Sequence, residues 1–257
     1  MPVGETSTGG TVVLAAPAKL TTELRIVGVR ADGYHLIDAE MVSLSLADTV
    51  ELSMSPTSDE TAGLTVSGPF ASGVPTDSTN LVARALRLTG RSAGVHIDKQ
   101  VPHGGGLGGG SSDAAAVLRW AGFTDLTAAS RLGADIPFCM IGGRARVGGI
   151  GEIVEPLPSC AATYTIVIPP FGVSTPAVYR AWDEMGGPYG ANGNDLEAAA
   201  IAVEPRLALW RDRLAELAGV APRLAGSGST WFLEGAFDHL GDALADAYLQ
   251  VVTAAAT

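Results

Sequence analysis

Six glycines fall within the seven positions Gly104–Gly110, and the run feeds straight into Ser111-Ser112-Asp113 and an alanine-rich stretch reaching Trp120. No other feature constrains the chain as strongly. A segment with so few Cβ atoms lets the backbone fold tightly round a ligand and turn several N–H groups inward. A helix opening where the run ends adds unpaired amides and the positive end of its dipole. Together these favour a polyphosphate. The plain alternative is a flexible linker, but a linker would not run directly into a capped helix.

The kind of cradle follows from its neighbours. A Walker A loop needs Gly-Lys followed by Ser or Thr, and the chain contains no Gly-Lys pair. Gly104, Gly106 and Gly109 satisfy the dinucleotide pattern G-x-G-x-x-G, though a run this rich in glycine meets it almost automatically. The pattern also wants an acidic residue at a strand end about 20 residues on. Asp125 and Asp135 stand at other offsets and in helix-like or loop contexts. A nicotinamide oxidoreductase is thus the weaker reading.

Charge sharpens the puzzle. The 257 residues carry 16 basic and 27 acidic side chains, a net charge of −11. That opposes a nucleic-acid polymer or an anionic membrane surface as partner, since both need a basic face. Only Lys19 and Lys99 are lysines; the other basic residues are arginines. Apolar residues at 47% supply a core for one globular unit of two lobes. Cys139 and Cys160 lack metal-ligand spacing and make no disulfide framework, so the expected setting is reducing and cytoplasmic. His35, His96, His103 and His239 form no zinc motif. The apolar run Thr11–Ala16 has no basic segment before it and does not read as a signal peptide. The uncharged run Pro156–Tyr179 is interrupted by five prolines and reads as strand plus loops.

Periodicity gives the elements. Residues 1–10 are expected to be disordered. Strands are expected at 11–16, ending at Pro17, and at 20–29, 37–46, 49–54 and 64–66, with a turn at Ala31–Tyr34. Asp77-Ser78-Thr79-Asn80 caps a helix over 81–88. A strand at 95–97, helices from Ser111 to Trp120 and over 126–132, and strands at 144–147 and 153–154 follow. After Pro158 the pattern predicts a strand at 163–168, helices at 174–185, 195–202 and 205–217, a strand at 230–233, and a last helix from 237 to 249. The order suggests an α+β fold in two lobes, 1–157 and 158–257.

Several short segments carry candidate chemistry. Lys19 follows a β-segment in Pro17-Ala18-Lys19, where a lone lysine can simply be solvated. Asp135 sits in Leu132-Gly133-Ala134-Asp135-Ile136-Pro137-Phe138, where a lone aspartate can simply be a helix cap. If the two meet, the carboxylate stays ionised and can take a proton from an attacking hydroxyl while the ammonium offsets charge on a moving phosphoryl group. Asp32-Gly33-Tyr34-His35 is either a surface turn or a platform for a planar base. Gly226-Ser227-Gly228-Ser229 is either a hairpin turn or a second source of N–H donors.

Taken in order, these segments resemble the GHMP kinase superfamily. Within it they are most similar to the 4-diphosphocytidyl-2-C-methyl-D-erythritol kinase family of non-mevalonate isoprenoid synthesis. The resemblance runs from about Ala16 to Leu233 and includes Arg30-Ala31-Asp32-Gly33-Tyr34-His35, Asn80-Leu81, Pro102–Ala115, Gly148–Glu152, Asn194–Glu197 and Ala225–Thr230. It implies a ribosomal protein S5 domain 2-like N-terminal lobe that binds ATP and a ferredoxin-like α/β C-terminal lobe. It implies Asp135 as general base with Lys19 beside it. ATP is assigned to Asn80, Lys99, Pro102, Gly104, Gly105, Gly106, Leu107, Gly108, Gly109, Gly110, Ser111 and Ser112. The substrate, a small molecule with a cytidine diphosphate group, is assigned to Thr21, Tyr34, His35, Tyr179, Gly226 and Ser227. Mg²⁺ is expected with the ATP, near Ser111 or Ser112, and the protein is expected as a monomer or weak homodimer. The family usually has Asn where this chain has Thr21. That departure leaves open another small-molecule GHMP kinase, acting on a sugar or mevalonate-like alcohol, or a silent nucleotide-binding protein.

Overall fold

The computed structural model describes residues 6–8, 10–53 and 63–255. Its frame is a pair of 19-residue antiparallel strands, β2 (Thr11–Val29) and β3 (His35–Ser53), with β1 (Thr6–Thr8) paired on β2. Residues 6–8 thus form a strand within the stretch expected to be disordered; residues 1–5, 9 and 54 lie outside the described residues. The turn between β2 and β3 closes through Gly33, at φ 85°, whose amide donates to the Arg30 carbonyl at 2.9 Å. Pro17 does not end a strand as expected. The ladder passes it with a register shift between Pro17 and Lys19, a bulge that absorbs the missing proline N–H. β3 is likewise one strand, not two.

β4 (Leu64–Ser67), α1 (Leu81–Thr89), β5 (Gly94–Asp98), α2 (Gly109–Trp120), α3 (Leu126–Ser130), α4 (Ile136–Ile141), β6 (Arg144–Gly149) and β7 (Ile153–Leu157) complete the first layer. β3 divides its outer edge between two neighbours: residues 37–42 pair with β6 and residues 49–53 with β5. Helices α1, α2 and α4 cover the sheet. Ala114, Ala115 and Ala116 have essentially no exposure, so α2 approaches it closely. The sequence reading extends α3 through Leu132 and misses α4, which is short and opens with Pro137 in its first turn.

The second sheet comprises β8 (Thr163–Ile168), β9 (Arg223–Leu224), β10 (Trp231–Glu234) and β11 (Tyr248–Thr253), all antiparallel. Its spatial order, β11-β8-β10-β9, is the ferredoxin-like one. Helices α5 (Thr175–Glu184), α6 (Glu197–Val203) and α7 (Arg206–Ala218) fill the crossover from β8 to β9. The expected last helix over 237–249 is not there. Two 3₁₀ turns at Asp238–Leu240 and Asp242–Leu244 bury Leu240 and Leu244, which mimics helical spacing, and β11 follows. Gly241 separates the turns, and Val251-Val252-Thr253 favours a strand.

A shared core joins the sheets. Leu20, Val42 and Leu44 of the first meet Ile166 and Phe232 of the second, with Leu107 of the glycine loop buried among them. No helix among the described residues is long and apolar enough to cross a membrane. The uncharged run Pro156–Tyr179 holds the end of β7, β8 and loops, and its last residues form the first turns of α5 rather than more loop.

Candidate active site

The bulge at Pro17 decides where Lys19 goes. Its backbone N–H donates to the Leu107 carbonyl at 2.9 Å, tying β2 to the glycine loop. Its Nζ lies 3.3 Å from Asp135 Oδ2 and donates to Thr21 Oγ1 at 3.1 Å. Lys19 is almost wholly buried, whereas the Asp135 side chain is 30% exposed and open to the cleft. Asp135 occupies the N-cap position of α4, yet its side chain makes no capping bond. The capping alternative therefore falls, and the carboxylate is spent on Lys19. Its charge is felt nearby. Burial, then Asp135, pushes both the Tyr179 phenol and the Cys139 thiol up to about 12, so neither ionises at neutral pH. Cys139 and Cys160 are both free.

The glycine loop presses against this pair. A Cβ on Gly108, the N-cap of α2 at φ 67°, would lie 2.8 Å from Lys19 Cγ and 3.6 Å from Asp135 Oδ2. Gly106, at φ 79°, passes so close to the loop after β9 that a Cβ would lie 3.0 Å from the carbonyl oxygens of Ala225 and Gly228. Thr230 fastens the two loops, its N–H donating to the Gly105 carbonyl at 3.3 Å and its hydroxyl to the same oxygen. First-turn amides of α2, which opens at Gly109, have no intrahelical acceptor.

Lys19, Asp135, Thr21, Tyr34, His35, Gly106, Ser111, Tyr179, Gly226 and Ser227 line one cleft of about 700 Å³. Tyr179 of α5 meets His35 of β3 with ring centroids 4.8 Å apart, and Trp182 lies 5.6 Å from His35. His35 Nε2 is 2.8 Å from Asp183 Oδ1. Tyr34 is exposed at the rim. Ser227 Oγ and Thr175 Oγ1 share a hydrogen bond of 2.8 Å.

Other predicted residues stand elsewhere. Lys99 is 2% exposed and its Nζ is held by Asp48 and Asp113, so its side chain does not reach a nucleotide. Asn80 is used as a cap: its Oδ1 accepts from Val82 N at 2.8 Å and its Nδ2 donates to the Pro75 carbonyl at 2.7 Å. Ser112 is buried, its hydroxyl on the Pro17 carbonyl, which leaves Ser111 as the serine facing the cleft. Leu107 contributes its carbonyl while its side chain fills the core, and Pro102 is buried. Gly104, Gly105, Gly109 and Gly110 complete the loop outside the cleft's lining, Gly104 and Gly110 exposed.

Sequence reasoning missed Arg131, Thr175, Arg180 and Asp183, all of which line the cleft. Thr175, Tyr179 and Asp183 recur every four residues along α5, so one helical face carries them, a signal the sequence did hold.

Comparison with known proteins decides the family. The family model for the GHMP kinases N terminal domain matches residues 80–143. The 4-diphosphocytidyl-2-C-methyl-D-erythritol kinase of Paracoccus denitrificans is 39% identical over 241 residues, covering 85% of each chain. The chain belongs to the 4-diphosphocytidyl-2-C-methyl-D-erythritol kinase family of GHMP kinases. Another family member, from Cereibacter sphaeroides, is 37% identical over 84% of this chain and 87% of its own. A crystal structure of a 4-(cytidine 5'-diphospho)-2C-methyl-D-erythritol kinase superposes with a TM-score of 0.71 at 31% identity, covering 95% of this chain and all of that one. Homoserine kinase from Cytophaga hutchinsonii, at 16% identity and a TM-score of 0.60, shares the fold. The two-lobed α+β fold is that of the GHMP kinases, and the chain is a small-molecule kinase.

Proposed function

We propose that the cleft transfers the γ-phosphoryl group of ATP to the 2-hydroxyl of 4-diphosphocytidyl-2-C-methyl-D-erythritol. The observation that carries this reading is the 3.3 Å contact between Lys19 Nζ and Asp135 Oδ2, pressed against the glycine loop in the same cleft as the His35–Tyr179 pair. Asp135 accepts the hydroxyl proton, the oxygen attacks the γ-phosphorus in line, and the bond from that phosphorus to the β–γ bridging oxygen breaks to release ADP. Lys19 and the loop amides offset the charge that spreads over the phosphoryl oxygens. Tyr34, His35 and Tyr179 take the cytosine. Arg131 and Arg180 add cationic charge at the cleft wall.

The oxygen donors of this cleft suit a hard cation that arrives on the nucleotide. Ser111 and Asp135 offer hydroxyl and carboxylate oxygen. Among the described residues no group of three His, Cys, Asp or Glu side chains forms a metal cage, which fits Mg²⁺ carried largely by phosphates and water. When bound, it neutralises phosphate charge. Residues 1–157 serve as the ATP-binding lobe and residues 158–257 as the partner lobe. Their division falls between β7, which ends the first sheet at Leu157, and β8 of the second. ATP as co-substrate and two free thiols suit a cytoplasmic setting.

A coupled ADP-release assay tests the reading. Turnover with the cytidylylated alcohol, and protection of the cleft by cytidine nucleotides, are expected. Turnover with a sugar or mevalonate-like alcohol alone would replace the substrate. ATP binding without transfer to any alcohol would make the protein silent.

A further inference from the structure

A second lysine cluster lies beneath the glycine loop, sealed from solvent. Lys99, Asp48 and Asp113 are each 2% exposed or less. Lys99 Nζ donates to Asp48 Oδ2 and, at 2.9 Å, to Asp113 Oδ2. Asp48 Oδ1 accepts from the backbone amides of Gln100 at 2.6 Å and Val101 at 2.7 Å. Asp113 Oδ1 has no partner. Burial works to discharge Lys99, but the two carboxylates override it and hold its pKa above the ordinary value. Two acids compete for that one cation, and burial raises Asp113 to about 7 with Lys99 opposing.

Such a cluster is a poor device for stability alone. Taking one ammonium and two carboxylates out of water costs more than packing apolar side chains of the same volume. Its connections say what else it does. Gln100 and Val101 lie in the short segment that leads through Pro102 and His103 into the glycine loop, and Asp113 lies in the first turns of the helix that follows it. Asp48 belongs to β3, at the point where that strand turns from its pairing with β6 to its pairing with β5. One chain of hydrogen bonds therefore runs from the segment after β5 that enters the loop, through Asp48 and Lys99, to the helix leaving it. The loop's own Gly109 lies directly above, where a Cβ would stand 3.1 Å from Lys99 Nζ.

We propose that Asp48, Lys99 and Asp113 form a clamp that fixes both ends of the glycine loop, so that its amides stand ready for the ATP phosphates. The inference rests on the reading of that loop as the nucleotide site. The three side chains lie outside the cleft lining, so they are positioning residues and not catalytic ones.

The test is kinetic and uses the whole enzyme. Asp113→Ala cuts the link to α2 while leaving Lys99 bonded to Asp48, and it extends a helix already rich in alanine. It is expected to raise KM for ATP by about tenfold, the scale of one charge-assisted hydrogen bond, and to leave KM for the acceptor alcohol within about twofold. Asp113→Asn, whose amide oxygen still accepts from Lys99 without the charge, is expected to recover part of the ATP affinity and to leave a rise of about threefold in KM for ATP. An unchanged KM for ATP in folded Asp113→Ala, or an equal rise in both KM values, overturns the clamp. Should Asp113→Ala fail to fold, Asp113→Asn decides: a rise of about threefold confined to ATP supports the clamp, and none overturns it. Hydrogen exchange on the wild-type enzyme separates the two readings. If ATP does not protect the amides of residues 104–111, the nucleotide site is wrong. If it does and the variants bind ATP normally, only the clamp is wrong.

Discussion

The chain's two lysines meet the glycine loop one residue apart and do opposite things. Lys19 packs against Gly108 and Lys99 against Gly109. Each is bonded to aspartate, and each ammonium is shielded from water. The difference lies in the partners. Asp135 keeps 30% of its side chain exposed and opens on the cleft, whereas Asp48 and Asp113 are sealed. An ion pair with one side in solvent can exchange protons with a substrate. A sealed one can only hold backbone in place. On the proposed function, the accessibility of their carboxylates tells the reactive lysine from the structural one.

The largest effect should come from the open pair. Asp135→Asn is expected to fold and bind ATP while kcat falls by about 10²–10⁴, the contribution of a positioned base; single-turnover and binding measurements check it. Near-normal turnover would remove the base. The sealed cluster should show itself in stability. Lys99→Met leaves two buried carboxylates and should cost about 3–5 kcal/mol in denaturant titration. Lys19→Met should cost less than Lys99→Met, because the one carboxylate it strands, Asp135, is 30% exposed and keeps part of its hydration. Equal losses would erase the distinction. Gly108→Ala adds a Cβ at positive φ against Lys19 and should lower kcat by about tenfold or more in steady-state assays.

Smaller effects sharpen the picture further. Tyr179→Ala should raise KM for the cytidylylated substrate by about tenfold, on the scale of a lost stacking partner, with KM for ATP unchanged. The smallest concerns pH. Burial holds the Asp113 carboxyl up at about 7, so the folded protein keeps a proton that the unfolded chain has released. That contribution to stability is full below the ordinary carboxylate range and is lost as pH rises through about 7. Asp113→Asn cannot ionise, so its Tm should fall less than that of the wild type between about pH 5 and 8. A parallel slope in both proteins would mean that Asp113 is ionised throughout.

Local pattern carried most of the fold. The capped helix behind Asn80, the helix after the glycine run and the strand at 163–168 all appear where periodicity puts them. The failures share a cause. Leu240 and Leu244 have helical spacing, but they are buried from two separate 3₁₀ turns, and spacing alone does not distinguish these. Pro17 reads as a stop because the bulge that accommodates it depends on the partner strand. For the site, the glycine run and the segments bearing Lys19, Asp135 and His35 were visible. The α5 face with Asp183 was legible too, as a repeat of four, but went unread.

By itself the sequence determined that an acidic protein carries a glycine run leading into a helix, the segment proposed as an anion cradle made of backbone. Such a cradle adds no charge to the net −11, because amides and a helix terminus contribute only partial charges. The sequence also supplied just two lysines and placed both in segments that resemble nucleotide-site motifs. Only the tertiary structure decided which of them meets the cleft. Lys19 and Asp135 are 116 positions apart along the chain and Lys99 and Asp113 only 14, yet it is the distant pair that opens on the cleft. The reason is burial: exposure is a property of the packed lobes, and no spacing along the chain encodes it.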